Sequence, residues 1–180
     1  MNLESGNYIE LYNPLKYNFF PVRILESDSN RIKVKILSTE KDRYFDNYYL
    51  DQFGFRIPFI SEKLINYCGF NRIDKSPIFN NKDYDLSIIE CYQGKIDRNQ
   101  FLRTLDIETR FLGFKILEKN KEEEFIEILK KLPFNCDFKS FQKENKLINS
   151  GNANILFKKL NEFGINDINT DKIILESKSE

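Results

Sequence analysis

The clearest pattern in the chain is Arg31-Ile32-Lys33-Val34-Lys35-Ile36, where polar and β-branched residues alternate strictly. Successive strand side chains point to opposite faces, so this run predicts a strand with one buried and one wet face. Gly6 to Tyr12 reads as an earlier strand broken at Asn13-Pro14, and Phe20 to Leu25 as another. The short polar run from Ser27 to Asn30 supplies a turn, so the second and third strands pair as a hairpin. Tyr44 to Leu50 is predicted as a further strand. Short strands with turn signals about every ten residues predict a small antiparallel sheet or partial barrel.

The period changes near Pro58. Ser61 stands where it can cap a short helix over residues 61–68, and Gly69 followed by Phe70 suits its left-handed close. Residues 71–83 are polar and loop-like, so the chain divides most naturally into a β-rich region 1–72 and an α+β region 73–180. Tyr84 to Tyr92 resumes as a strand, and Phe101 to Leu117 reads as helix at its start and strand at its end.

The last third is mainly helical. Asn120 is placed to cap Lys121 to Leu132, whose Phe125, Ile128, Leu129 and Leu132 form one stripe before Pro133 stops it. Further helices are predicted over Phe138 to Ile148 and Ala153 to Phe163, with Lys172 to Leu175 as an edge strand. The fold class is therefore α+β, with a mixed middle.

Composition narrows the function. Hydrophobic residues make up 41% of the chain, enough for a packed core. The 28 basic and 28 acidic side chains balance, and residues 1–75 alone hold 11 and 10, so the broad basic excess of a nucleic-acid coat is missing. The opening residues have no basic start and no apolar run, which predicts no secretory leader, and no apolar stretch is long enough to cross a bilayer. Cys68, Cys91 and Cys136 are odd in number and lie among apolar neighbours, predicting buried reduced thiols and a cytoplasmic location.

Histidine is absent, which removes Ser-His-Asp and Cys-His nucleophile systems and most catalytic zinc sites. The seven glycines are isolated, so no phosphate loop is formed. The expectation is a protein without catalysis, cofactor or metal. One string resists it: Asp106 and Glu108, in Leu105-Asp106-Ile107-Glu108-Thr109, resemble the first motif of the DEDD exonucleases. Two carboxylates on one strand face suit a hard cation. However, the closing motif needs a His or Tyr before an Asp, and neither residue type follows Tyr92. Surface carboxylates are the plainer reading, as turn polarity is for Asp83 and Asp85. Cys91 and Cys136 have no base beside them and read as core.

Residues 1–60 hold 12 of the 26 aromatic side chains, six of them tyrosines. A tyrosine hydroxyl wants water or a partner, so Tyr8, Tyr12, Tyr44, Tyr48 and Tyr49 are candidates for contact with another molecule. Arg31, Lys33 and Lys35 project from one strand face beside them, with Arg23 near. Three readings stay open: a protein-docking face, a platform for RNA or single-stranded DNA, or a packed sheet with a charged edge.

The run Gly6-Asn7-Tyr8-Ile9, then Pro58 to Leu64, then Cys68-Gly69-Phe70 resembles short phage and prophage proteins of Bacteroidetes over about residues 3–72. The resemblance implies a mobile-element accessory protein, acting in the host cytoplasm and not at a membrane. By analogy with small phage proteins it implies stoichiometric binding to a host protein, such as a restriction or CRISPR effector, including a nucleoprotein one. It assigns no functional residue.

Overall fold

A computed structural model describes residues 3–74, 76–93, 110–133, 136–149 and 151–178. The fold is α+β, with an antiparallel sheet at the N-terminus, a second sheet, and helices concentrated toward the C-terminus.

Four strands come first: β1 (Tyr8–Asn13), β2 (Asn18–Ser27), β3 (Arg31–Ile36) and β4 (Lys41–Asp46). Helix α1 (Asn47–Phe53) and the two-residue β5 (Phe55–Arg56) follow, and the sheet order is β4-β3-β2-β1-β5. The alternation in β3 works as expected, with Ile32 and Val34 buried beside Val22 and Ile24 of β2 and Ile9 and Leu11 of β1. The turn between β2 and β3 is held by Asp28, whose Oδ1 accepts the amides of Asn30 and Arg31 at 2.8 and 3.0 Å.

The strand expected over Tyr44 to Leu50 ends at Asp46. That carboxylate accepts the amide of Tyr49 at 2.7 Å and starts α1, while the amide of Gly54 closes it on the Leu50 carbonyl. The cap turns the chain so that Leu50 covers the core.

Helix α2 (Glu62–Tyr67) begins with Ser61 Oγ accepting the Leu64 amide at 3.1 Å. Gly69, at φ 85°, ends it, and the Phe70 amide reaches back to Ile65. The loop expected over 71–83 contains β6 (Asn71–Arg72) and β7 (Ile78–Asn81), which join β8 (Leu86–Gln93) and β9 (Arg110–Glu118) in the order β6-β7-β8-β9. Its polar side chains disguise a backbone ladder. Against this sheet pack α3 (Glu122–Lys130), entered through a short 3-10 turn at Lys119–Lys121 instead of an Asn120 cap, and α4 (Phe138–Glu144). Phe125, Leu129 and Phe141 meet Ile89, Cys91 and Leu112 there.

Helices α5 (Ala153–Glu162) and α6 (Thr170–Glu176) complete the chain. The edge strand expected over Lys172 to Leu175 is thus a helix. Asn169 accepts the Lys172 amide at 3.1 Å and caps it, and Ile173 and Ile174 are buried.

The chain divides into two compact units. One comprises Met1–Leu64, Gly151–Lys158 and Asp167–Glu180, and the other Ile65–Ser150 and Lys159–Asn166. The first boundary therefore lies inside α2, eight residues before the division at 72 that the sequence suggests, and two C-terminal segments join the N-terminal sheet.

Candidate binding surface

The face of the first sheet opposite its core collects most of the residues singled out from the sequence. Register places Arg23 of β2 between Tyr8 of β1 and Lys35 of β3, and Lys33 opposite Tyr44 of β4. Tyr12 lies farther along β1 opposite Phe19, the rings 5.3 Å apart. Tyr48 and Tyr49 belong elsewhere, on α1. Tyr48 is exposed, whereas Tyr49 sits between Phe45 and Phe53, with ring centroids 4.9 Å from each. The Tyr49 hydroxyl donates to the Tyr12 carbonyl at 2.5 Å, and desolvation raises its pKa.

The cations on this face have carboxylates of their own. Arg31 Nε stands 3.6 Å from Asp28, Lys33 Nζ 3.6 Å from Glu26 and 3.7 Å from Asp42, and Lys35 Nζ 3.8 Å from Glu40. Glu26 first, then Tyr44 and Asp42, hold the Lys33 ammonium above its usual pKa. Asp171 of α6 joins Arg23 Nη1 at 3.2 Å to Lys35 Nζ at 3.5 Å. Four cations thus meet five carboxylates.

Tyr8 is withdrawn from solvent, at 4% exposure. Its hydroxyl donates to Asp171 Oδ1 at 2.7 Å and lies 2.6 Å from the Thr170 hydroxyl. Its ring meets Phe157 edge-on, and Asn154 of α5 bonds both its amide and its carbonyl. Burial, more than the nearby Asp171 carboxylate, pushes the phenol up to about 12. Beside it Glu10, 1% exposed, is bracketed by Arg56 Nε at 2.5 Å and Lys178 Nζ at 2.7 Å. This part of the face is the seat of α5 and α6.

What stays open lies at the rim. Arg31 covers the half-exposed ring of Tyr44 at 4.7 Å. At the tip of the β1–β2 hairpin Leu15 is 90% and Tyr17 83% exposed, with Phe19 behind them under the Arg56 guanidinium at 4.2 Å. Leu15, Lys16, Tyr17, Arg56 and the counterion Asp171 were not among the sequence candidates. For Leu15 a signal was present, an apolar residue directly after Asn13-Pro14. For Asp171 there was none, because it pairs across 136 residues.

Of the three cysteines expected to be buried, Cys68 and Cys91 are, whereas Cys136 is partly exposed. Burial pushes the Cys68 thiol up to about 12 and the Cys91 thiol higher still. Asp83 belongs to a turn in which Asn81 Oδ1 accepts its amide at 2.9 Å, and Asp85 has left-handed backbone. Arg72 grips Glu90 through two 3.0 Å bonds while stacking on Phe79, which is a structural pair. Asp106 and Glu108 lie outside the described residues. Among the described residues no cluster of His, Cys, Asp or Glu could hold a metal ion, and no helix is long and apolar enough to cross a membrane. Comparison with family models, with curated proteins and with solved structures gives no match.

Proposed function

We propose that this chain is a non-enzymatic protein-binding protein that works by stoichiometric occupancy of a protein partner. The observation that carries this reading is the contrast on the N-terminal unit. The cationic row is neutralised internally, while Leu15, Tyr17, Tyr44 and Tyr48 stand open to solvent. Aromatic side chains of this kind dominate protein interfaces, whereas phosphate binding needs uncompensated cations. The narrower form, a phage or mobile-element inhibitor of a host defence nuclease in the host cytoplasm, rests on the resemblance of residues 3–72 to Bacteroidetes phage proteins.

The test is recovery of partners by the tagged protein from a Bacteroidetes lysate, with and without added nuclease. One host protein retained at fixed stoichiometry under both conditions is expected. No protein partner, or loss of every partner after nuclease, refutes the proposal.

The cation–aromatic stack of Arg31 on Tyr44 favours a second reading, single-strand nucleic-acid binding. It requires binding that falls steeply with salt and disappears when Arg31, Lys33 and Lys35 are all replaced by Glu.

A further inference from the structure

We infer that the β1–β2 hairpin tip is the docking element of this chain, and that it enters an apolar pocket of the partner rimmed by carboxylates. The inference rests on the protein-binding reading above and adds the surface and the chemistry of its target.

The tip is built to hold its shape. The pair Asn13–Asn18 closes a loop of residues 14–17. Asn13 Oδ1 accepts the amides of Leu15 and Lys16 at 3.0 and 3.3 Å, and the Lys16 amide also reaches the Asn13 carbonyl at 3.3 Å. Pro14 fixes its own φ. Tyr17 takes the left-handed conformation, φ 52°, and is the one aromatic among the non-glycine residues found there in the described chain. Glycine or asparagine is the cheaper residue at such a position, so a large exposed ring there is at odds with stability alone. Strained exposed residues of this kind concentrate at ligand-contact sites. A preordered turn also loses little conformational entropy when it docks.

The charge of the tip selects the partner. No acidic residue stands between Glu10 and Glu26, so Lys16, between Leu15 and Tyr17, has no acid within five residues of it in the sequence. Behind it the Arg56 guanidinium covers Phe19 but is held by Glu10 at 2.5 Å, so the charge of the tip comes from Lys16. An apolar pair with a lysine between its members matches an apolar pocket with Asp or Glu at its rim. A second copy meeting this one tip to tip would oppose Lys16 with Lys16. An anionic bilayer is the poorer fit, since surface adsorption draws on several cations and a broad apolar face.

The experiment replaces Tyr17, and in a second protein Tyr48, by the photo-crosslinker p-benzoylphenylalanine, and adds each purified protein to Bacteroidetes lysate. The expected result is an adduct from position 17 and not from 48, mapped by peptide mass spectrometry to an apolar cleft bordered by Asp or Glu. Tyr17→Gly, with its fold verified by circular dichroism, is expected to lower recovery of that partner roughly thirtyfold. Lys16→Glu is expected to lower it about tenfold at low salt, and added salt should then raise recovery, the reverse of its effect on the unsubstituted protein. A partner recovered equally by Tyr17→Gly, or joined to position 48 alone, overturns the hairpin inference and leaves the protein-binding reading standing. Recovery of no partner overturns both. Sedimentation with vesicles of phosphatidylcholine and phosphatidylserine, abolished by Tyr17→Gly, overturns the pocket in favour of a lipid surface.

Discussion

Replacing Asp171 by Ala tests whether the basic face is consumed by the fold. The carboxylate accepts the Tyr8 hydroxyl at 2.7 Å and joins Arg23 to Lys35 at 3.2 and 3.5 Å. A hydrogen bond to a charged group contributes about 1.5–3 kcal/mol. The two ion pairs have side chains 35%, 23% and 22% exposed, so solvent screening leaves about 0.5 kcal/mol for each. The expected loss is therefore about 3 kcal/mol, borne by the N-terminal unit. Because the chain has two compact units, a single melting temperature would blur this loss. Hydrogen exchange at the amides of β1 to β3 and of α6 reads it directly. Asp171→Asn keeps the shape and removes the charge, and it carries a second readout. Burial raises the Tyr8 pKa most and Asp171 adds to the rise, so phenolate absorbance should appear at lower pH in Asp171→Asn, below the value of about 12. The sign of the linkage follows. A phenol raised from 10.0 to about 12 contributes stability that is complete below pH 10 and is lost as pH climbs through about 12. An exchange change below about 0.5 kcal/mol, with Tyr8 titrating as before, would show these contacts to be ordinary surface pairs and refute the reasoning.

Three further outcomes are expected. Arg72→Ala leaves Glu90, 9% exposed, without its two 3.0 Å partners, and should cost the second unit about 3–5 kcal/mol by urea denaturation; a change under 1 kcal/mol contradicts the buried pair. Gly113→Ala would place a Cβ 2.7 Å from the Ile148 carbonyl oxygen at φ 140°, so about 3 kcal/mol or more should be lost, seen as early exchange in β8 and β9. Native-state iodoacetamide at pH 8 should label Cys136, which is partly exposed, while Cys68 and Cys91 stay protonated by burial and react only in denaturant; equal labelling of all three in the native state would contradict their burial.

Local chemistry was legible in the sequence, and long-range pairing was not. The alternation in β3 and the Ser61 cap and Gly69 close of α2 depend on neighbours within a turn or two, whereas of the stripe expected along α3 only Phe125 and Leu129 are buried, Ile128 is exposed and Leu132 lies past the end of the helix. Helix α1 was hidden because Tyr44 to Leu50 is rich in strand-favouring aromatics, and a single capping carboxylate, Asp46, overrides them. Helix α6 was hidden by Ile173-Ile174-Leu175, whose β-branched run outweighs the Asn169 cap when no partner surface is known. β6 and β7 were missed for the opposite reason. β6 is polar and β7 half polar, and what places them is a backbone ladder onto β8, which is buried along nearly its whole length.

The same division separates the two candidate surfaces. A row of cations on an alternating strand is a binding site only while it lacks counterions, and that is a tertiary property. Here Glu26, Glu40 and Asp42 arrive from neighbouring strands and turns, and Asp171 from a helix more than a hundred residues away. Exposure at a hairpin tip is set by the turn itself. Once Asn13 and Pro14 reverse the chain and Asn13 pairs with Asn18, the residues between them lie beyond the end of the sheet. Their apolar character is then a fact about solvent contact that folding does not remove. In a chain with balanced charge, an ordered turn carrying Leu15 and Tyr17 is therefore the better indicator of a docking surface than the row from Arg31 to Lys35, since neutralising that row is among the things this fold does to stabilise itself.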